Sequence, residues 1–421
     1  METLMQTMTC RHFGVCGGCA CDPSRVPPAP APYPDQIREK EARVRQLLSP
    51  FEIGEWRGLI PSPEQWYYRN KMELALAPET IPPLPPRQKP GDPPPIAIGQ
   101  PGRRVEGVRL GLREAGHFDK IVDLQMCLLM SPEVEELFRR VRLWAKAQGF
   151  SGYERRMHSG DLRYLVVREG KNTGERMAVL ISNETVSAKK HPQALQELRS
   201  AIEPLATTAW LGVTGARGDV ARTADMTLLW GPGTIDERLD DIRYRISAYS
   251  FFQTNTRGAE RLYRLLANWA RPLGGALVDL YCGSGGITLA LARSFDRVVG
   301  IDTNREAITD AIFNAEQNDL KNTEFVCEDA MEFLKKLAGS KLAVQLSAMV
   351  IDPPRPGLHP KAMQALVEMN PPALAYVSCN PESLARDLQN LIPLYKINSV
   401  QLVDLFPNTA HVETVALLEH R

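Results

Sequence analysis

A chain of 421 residues is long enough for two or three domains, each with its own core. Lys plus Arg and Asp plus Glu number 50 each, so the formal net charge is zero, and a nucleic-acid partner would need a local basic surface. No apolar run approaches the ~18 residues of a membrane span and no signal-peptide core opens the chain, so a cytoplasmic, monomeric protein without a membrane partner is expected.

Residues 1–50 form the first region. "CRHFGVCGGC" sets Cys10, Cys16 and Cys19 at C-x5-C-x2-C spacing, with Cys21 close behind. A proline-rich stretch follows, then an apolar rhythm (Ile37, Val44, Leu47, Leu48) that predicts a helix. Cys127 stands far downstream in "LQMCLLM". In a reducing compartment such thiols are ligands, nucleophiles or buried groups, not disulfides. Thiolates alone suit either an iron–sulfur cluster or a structural zinc, and the spacing does not choose.

Residues 51–250 read as a central α+β, strand-rich domain. "KMELALA", "DLRYLVVREG" and "RMAVLISN" have strand character, and "SPEVEELFRRVRLWAKAQGF" predicts an amphipathic helix capped by Ser131. The stretch from about 78 to 104 is too rich in proline to pack and reads as an extended insertion.

From 251 to 421 strands and helices alternate. "GALVDLYC", "RVVGIDT", "TEFVCED", "AMVIDPP" and "ALAYVSC" recur at the even spacing of successive βα units. "INSVQLVDLF" and "VETVALLEH" have no helix between them and are expected to close the sheet as an antiparallel pair. The fold class is therefore α/β, with a C-terminal Rossmann-like domain, a central α+β domain and an N-terminal cysteine-rich segment.

The chemistry sits at the carboxyl ends of those strands. In "DLYCGSGG", Gly283, Gly285 and Gly286 let the backbone turn sharply and approach a ligand. The NAD fingerprint needs a further glycine where Thr288 stands. Asp302 ends the second strand, placed for two ribose hydroxyls, and Asp329 ends the third, placed for an adenine edge. Together they point to S-adenosylmethionine; the bland reading is a packing turn beside solvated acids. "IDPPRPGL" fixes Asp352 in a rigid turn, and Arg355 stands where amine methyltransferases stack an aromatic on the base.

"YVSCNPESLARDL" then places Cys379 at the end of the fifth strand. A helix should begin just behind it, capped by Asn380 and opened by Pro381. That helix N-terminus is expected to lower the thiol's pKa; the bland reading is a buried cysteine, as for Cys282 and Cys327.

Six segments, "YRNKMELA", "FFQTN", "DLYCGSGG", "DPPRPGL", "YVSCN" and "FPNTAHVETVALL", resemble in order the motif series of the bacterial RNA uracil-5-methyltransferases. These enzymes make 5-methyluridine in ribosomal or transfer RNA. The resemblance covers nearly the whole chain. It implies that Cys379 is the nucleophile adding to carbon 6 of uracil, and that Glu413 is the base removing the carbon 5 proton. It implies that Gln253, Tyr281, Gly283, Gly285, Gly286, Asp302, Asp329 and Asp352 line the S-adenosylmethionine and uracil pocket. Gly286 is a departure, since some relatives carry a side-chain amide there. Asp-Pro-Pro at the fourth strand, in place of a cysteine, favours uracil over cytosine.

The same resemblance moves Cys10, Cys16, Cys19 and Cys127 to a [4Fe–4S] cluster. The radical S-adenosylmethionine spacing C-x3-C-x2-C is absent, so a structural role is expected. It also implies that Arg69 and Lys71 in "YRNK" meet RNA phosphates, whereas "RRVRLWAK" reads as a solvated helix face. A uracil must be flipped out to reach Cys379, so the central domain is expected to bind structured RNA by shape and backbone. The first cluster cysteine comes too early for an added N-terminal β-barrel (TRAM) domain, the layout of the family's compact ribosomal enzymes. Bacterial transfer-RNA members typically lack the cluster cysteines. Large-subunit (23S) ribosomal RNA is therefore the expected substrate. Transfer RNA, an amine methyltransferase and a non-catalytic RNA-binding iron–sulfur protein are the alternatives.

Overall fold

The computed structural model describes residues 10–19, 31–79, 108–117 and 119–421. The proline-rich insertion lies almost wholly outside them, as does Cys21. Helix α1 (Tyr33–Leu47) starts behind Pro32, with Pro34 and Asp35 in its first turn, where a missing N–H and a negative charge are both tolerated. Strand β1 (Ile53–Ile60) follows. Its eight residues do not join the central sheet. They pair in parallel with β16 (Tyr395–Val403), from Ile53 opposite Ile397 to Ile60 opposite Val403.

This displaces the division drawn at residue 50. Residues 33–60 lie against the C-terminal layer, where Val44 and Leu48 share a core with Val278, Leu280 and Leu402. The physical cause is a polar lock. Lys40 Nζ stands 2.7 Å from Asp404 Oδ1, both side chains buried, and Tyr33 Oη donates to Asp404 Oδ2 at 2.9 Å.

The central sheet runs β4 (Ile121–Asp123), β3 (Val108–Arg113), β2 (Lys71–Pro78), β5 (Leu162–Glu169), β6 (Arg176–Ser182), β7 (Thr208–Val213) and β8 (Asp225–Trp230). Alternation in β2 turns Met72, Leu74 and Leu76 to one face. Helices α2 (Pro132–Ala147) and α3 (Pro192–Ile202) cover that face through Leu137, Phe138, Leu195 and Leu198. Ser131 holds the N-cap position of α2 in extended conformation, but its side chain makes no capping bond; Pro132 has no N–H to satisfy, and Glu133 and Glu135 set negative charge in the first turn. The hairpin β9 (Ile235–Leu239) and β10 (Ile242–Ile246) leads to α4 (Thr256–Ala270).

The C-terminal sheet has eight strands. β11 (Ala276–Leu280), β12 (Arg297–Asp302), β13 (Thr323–Cys327), β14 (Leu346–Ile351) and β15 (Ala373–Ser378) are parallel. β11, β14 and β15 are buried apolar runs, as both faces of a parallel sheet require. Between the strands lie α5 (Gly286–Leu291), α6 (Arg305–Gln317), α7 (Ala330–Leu337), α8 (Lys341–Gln345), α9 (Pro360–Met369) and, after β15, α10 (Pro381–Leu391). The order β1-β16-β17-β15-β14-β11-β12-β13 turns back between β11 and β14, where such sheets open a ligand crevice. β17 (Glu413–His420) inserts antiparallel between β15 and β16, as the missing helix predicts. Cys327 ends the edge strand and is exposed, not buried, because no strand flanks it; Cys282 is buried. Among the described residues no helix is long and apolar enough to cross a membrane.

Candidate active site

The turn after β11 is held in left-handed backbone: φ is 68° at Tyr281, 55° at Gly283 and 86° at Gly285. Only the tyrosine resists that conformation, so strain is concentrated at one side chain lining the crevice. A Cβ on Gly286 would stand 2.2 Å from Tyr263 Oη. The hydroxyl of Tyr263 thus fills the space that a side chain at 286 would need. Asp302 is anchored before any ligand arrives, Oδ2 accepting from Gly283 N at 3.0 Å and Oδ1 from Asn304 N at 2.8 Å. Asp329 caps α7, its Oδ1 accepting from Met331 N at 2.9 Å. Gln253, Tyr263, Tyr281, Ser284, Gly286 and Asp352 line one recess.

Beside it stand the thiol and two carboxylates. In the antiparallel ladder of β15 and β17 the last pair is Ser378 with Thr414, so Cys379 and Glu413 come next, opposite one another. Ile351 pairs with Tyr376, which brings Asp352 out on the other side of the same strand end. Gln253 Nε2 donates to Asp352 Oδ2 at 3.1 Å. Glu413 is 2% exposed, and its Oε1 has no hydrogen-bond partner among the described residues.

Burial pushes Asp352 up to about 7. Burial and then the charge of Asp352 hold Glu413 well above the usual carboxylate range, against a smaller pull from Arg355. Cys379 is driven up to about 11 by burial, then by Glu413 and Asp352; Arg355 again opposes. The expected lowering by the helix is therefore overturned. The helix start itself is as expected, with Asn380 accepting from Glu382 N at 3.2 Å and Pro381 in the first turn. Burial, and after it the two acids, prevails.

The sequence reading passed over His411 and Tyr263, and took Arg355 only as a departure. Arg355 Nη2 lies 3.2 Å from His411 Nε2. Burial, then Arg355, lowers His411 to about 4, so a neutral imidazole accepts from the guanidinium. The motifs "DPPR" and "HVET" contained both residues without revealing the pair.

"YRNK" is a clamp as well as a cationic motif. Asn70 Nδ2 donates to Gln253 O at 2.8 Å and to Thr256 Oγ1 at 2.9 Å, and Tyr68 Oη donates to Pro407 O at 3.1 Å. Lys71 Nζ lies 2.7 Å from Glu73, while Arg69 Nε is buried without a partner.

The loop at 10–19 docks on β3, where Gly17 N donates to Arg113 O at 2.7 Å. Cys16, Cys19 and Cys127 are buried in the central core, Cys10 is half-buried, and all four are free. They lie within electrostatic reach of one another. Burial pushes Cys127 up to about 12 and Cys19 higher still, and the neighbouring thiols add to both shifts. Among the described residues no group of three or more His, Cys, Asp or Glu side chains is placed to hold a metal ion.

Residues 219–421 match the family described as tRNA (uracil-5-)-methyltransferase. An uncharacterized RNA methyltransferase from Chlorobaculum tepidum is 34% identical, over 97% of this chain and 82% of its own. Another, from Clostridium acetobutylicum, is 31% identical over 98% and 84%. The crystal structure of Pyrococcus abyssi tRNA (uracil-54, C5)-methyltransferase in complex with S-adenosyl-L-homocysteine has a TM-score of 0.70 at 30% identity, covering 92% of this chain and 83% of that one.

Asp352 and Glu413 ionise less readily folded than unfolded. At Asp352 the folded chain therefore holds an extra proton between the ordinary carboxylate range and about pH 7, and the stability this gives is lost as pH rises through that window; Glu413 shifts in the same direction. Asp352→Asn should raise the Tm at pH 8 and leave it nearly unchanged at pH 4. Thermal unfolding by circular dichroism at the two pH values measures this; a variant that melts lower than its parent at pH 8 would contradict it.

Proposed function

The chain belongs to the tRNA (uracil-5-)-methyltransferase family of S-adenosylmethionine-dependent RNA methyltransferases, and on that premise we propose that it methylates carbon 5 of a uridine through a covalent Cys379 adduct. One observation carries the reading: the β15–β17 register sets the Cys379 thiol opposite a buried carboxylate, Glu413, with one oxygen unpartnered.

The Cys379 thiolate adds to carbon 6 of uracil, and the carbon 5–carbon 6 π electrons move to oxygen 4. Carbon 5 then takes the methyl group. Glu413 Oε1 removes the carbon 5 proton, the double bond re-forms and the thiolate leaves. When bound, S-adenosylmethionine would supply the methyl group, its methyl–sulfur bond breaking with the electron pair left on sulfur so that the neutral thioether departs. Arg355 favours the ionised forms of both Cys379 and Glu413, and His411 orients it. Asp302 and Asp329, fixed by backbone N–H groups, are the acceptors for ribose and adenine. Gln253 steers Asp352.

Cys10, Cys16, Cys19 and Cys127 would hold a [4Fe–4S] cluster. Cys16, Cys19 and Cys127, buried in the central core, and the half-buried Cys10 make a donor set of thiols alone, the ligand type that an iron–sulfur cluster takes. The cluster would supply cross-linking of the N-terminal loop to the Cys127 loop.

The substrate we propose is large-subunit ribosomal RNA, on the strength of the cluster cysteines, and the enzyme acts in the cytoplasm. Transfer RNA is the second reading, favoured by the named substrate of the Pyrococcus abyssi neighbour. Labelled S-adenosylmethionine offered with unmodified ribosomal or transfer RNA should give 5-methyluridine in ribosomal RNA. Label in transfer RNA alone would move the substrate, and label on an exocyclic amine would end the uracil reading.

Protein purified without oxygen should be brown, with iron and sulfide near about four each per chain. Serine at position 10, 16, 19 or 127 should bleach it, and Cys21→Ser should not. Stoichiometric zinc without iron would contradict the cluster.

A further inference from the structure

β2 has a second face. Lys71, Glu73 and Ala75 point away from the core that holds Met72, Leu74 and Leu76. The register extends that face sideways: Ala75 stands between Gly111 of β3 and Tyr164 of β5, and Lys71 stands opposite Arg168. The two small residues in the middle leave a trough. Two adjoining recesses of about 470 and 490 Å³ share Lys71, Glu73, Arg113 and Tyr164. A narrower third continues past Tyr164 to the 153–163 hairpin. The inner end is Thr254, next in sequence to Gln253 of the catalytic recess; Arg155 and Arg156 lie at the outer end.

Charge is not neutral here, although the chain is. Arg69, Lys71, Arg113 and Arg222 line the inner half, and Arg109, Arg155, Arg156 and Arg163 the outer. Against these eight cations stand five carboxylates: Glu73, Asp119, Glu154 and Asp219 in the lining, and Glu306, 3.6 Å from Arg222. Lys71 and Arg168, cations on paired strands, repel across the ladder. Arg69 Nε and Thr254 Oγ1 are buried without partners among the described residues.

One wall of the trough is held by a buried arginine. Arg163 is 2% exposed and donates to Ala216 O and Gly218 O, both at 2.6 Å, which fixes the loop carrying Asp219, Val220 and Arg222. Arg222 lies 5.1 Å above the Tyr249 ring, and Val220 beside it is 57% exposed. A phosphate-bearing strand with bases to set against such surfaces matches this chemistry.

We propose that the trough binds the RNA strand adjoining the flipped uridine, its phosphates reaching from Arg69 and Lys71 to Arg155 and Arg156. The inference rests on the RNA-methylating function above and adds to it where the RNA lies and which residues set its salt dependence.

The test uses the full chain and fluorescein-labelled unmodified transfer RNA and ribosomal RNA, titrated over a series of salt concentrations. Arg155→Glu with Arg156→Glu should weaken binding by about tenfold or more, and flatten the slope of log affinity against log salt by about one to two. Arg155→Lys with Arg156→Lys should restore most of both. Arg199→Glu, on α3 across the sheet, should change neither, and all variants should bind S-adenosylmethionine like the parent. Wild-type affinity and slope in the glutamate pair would overturn the proposal. So would equal loss in the lysine pair, because ion pairs with Asp119 and Asp219 would then be purely structural. If the parent binds RNA with this slope but methylates none, the proposed function fails and the trough stands.

Discussion

Two carboxylates and a thiol share one water-poor corner at the ends of β14, β15 and β17, and they cannot all be ionised together. Burial lifts Asp352, Glu413 and Cys379 above their ordinary pKa values; the charge of Asp352 adds to the shift of Glu413, and both carboxylates add to that of Cys379. Much of the surrounding structure answers that constraint. Arg355 is the opposing charge, and a neutral His411 holds it. Gln253 gives Asp352 a donor, while Glu413 keeps a free oxygen in the interior. An unpartnered buried oxygen is costly, and its persistence argues that something else is meant to use it.

Such a corner must be held from outside, because its own groups repel. The loop between β16 and β17 that leads into Glu413 is tied at several points. Lys40 and Tyr33 grip Asp404, Gln36 and Asn408 exchange hydrogen bonds, and Tyr68 reaches Pro407. Removing one member of a buried ion pair such as Lys40–Asp404 typically costs about 3–5 kcal/mol. Tyr68 also packs beside Cys19 and Cys127, so the cysteine-bearing loops form the back wall of a strut that ends at the catalytic loop. Asn70, two residues further, holds Gln253. The central domain thus supports the chemistry mechanically as well as facing the trough.

Local rules made much of this legible. Five parallel strands, the antiparallel closure and the Asn380–Pro381 helix start follow from patterns within a few residues. What the sequence hid is long-range or collective. β1 joins a strand more than three hundred residues away, and no local pattern distinguishes that edge from the edge of the central sheet. Ser131 looks like a cap but does not act as one. Gly286 reads as a missing contact until Tyr263 is seen to occupy its space. The pKa of Cys379 depends first on how deeply the fold buries it and then on which acids the fold brings near it, and neither is a local property of the sequence.

The central claim is that Cys379 is the atom-bonding nucleophile despite its raised pKa. RNA transcribed with 5-fluorouridine and incubated with the enzyme and S-adenosylmethionine cannot release the fluorine as a proton, so the covalent intermediate should persist. Nuclease and protease digestion followed by mass spectrometry should find a methylated fluorouridine nucleotide on the peptide containing Cys379, and none in Cys379→Ala. An adduct on any other residue, or one that survives in Cys379→Ala, would contradict the account.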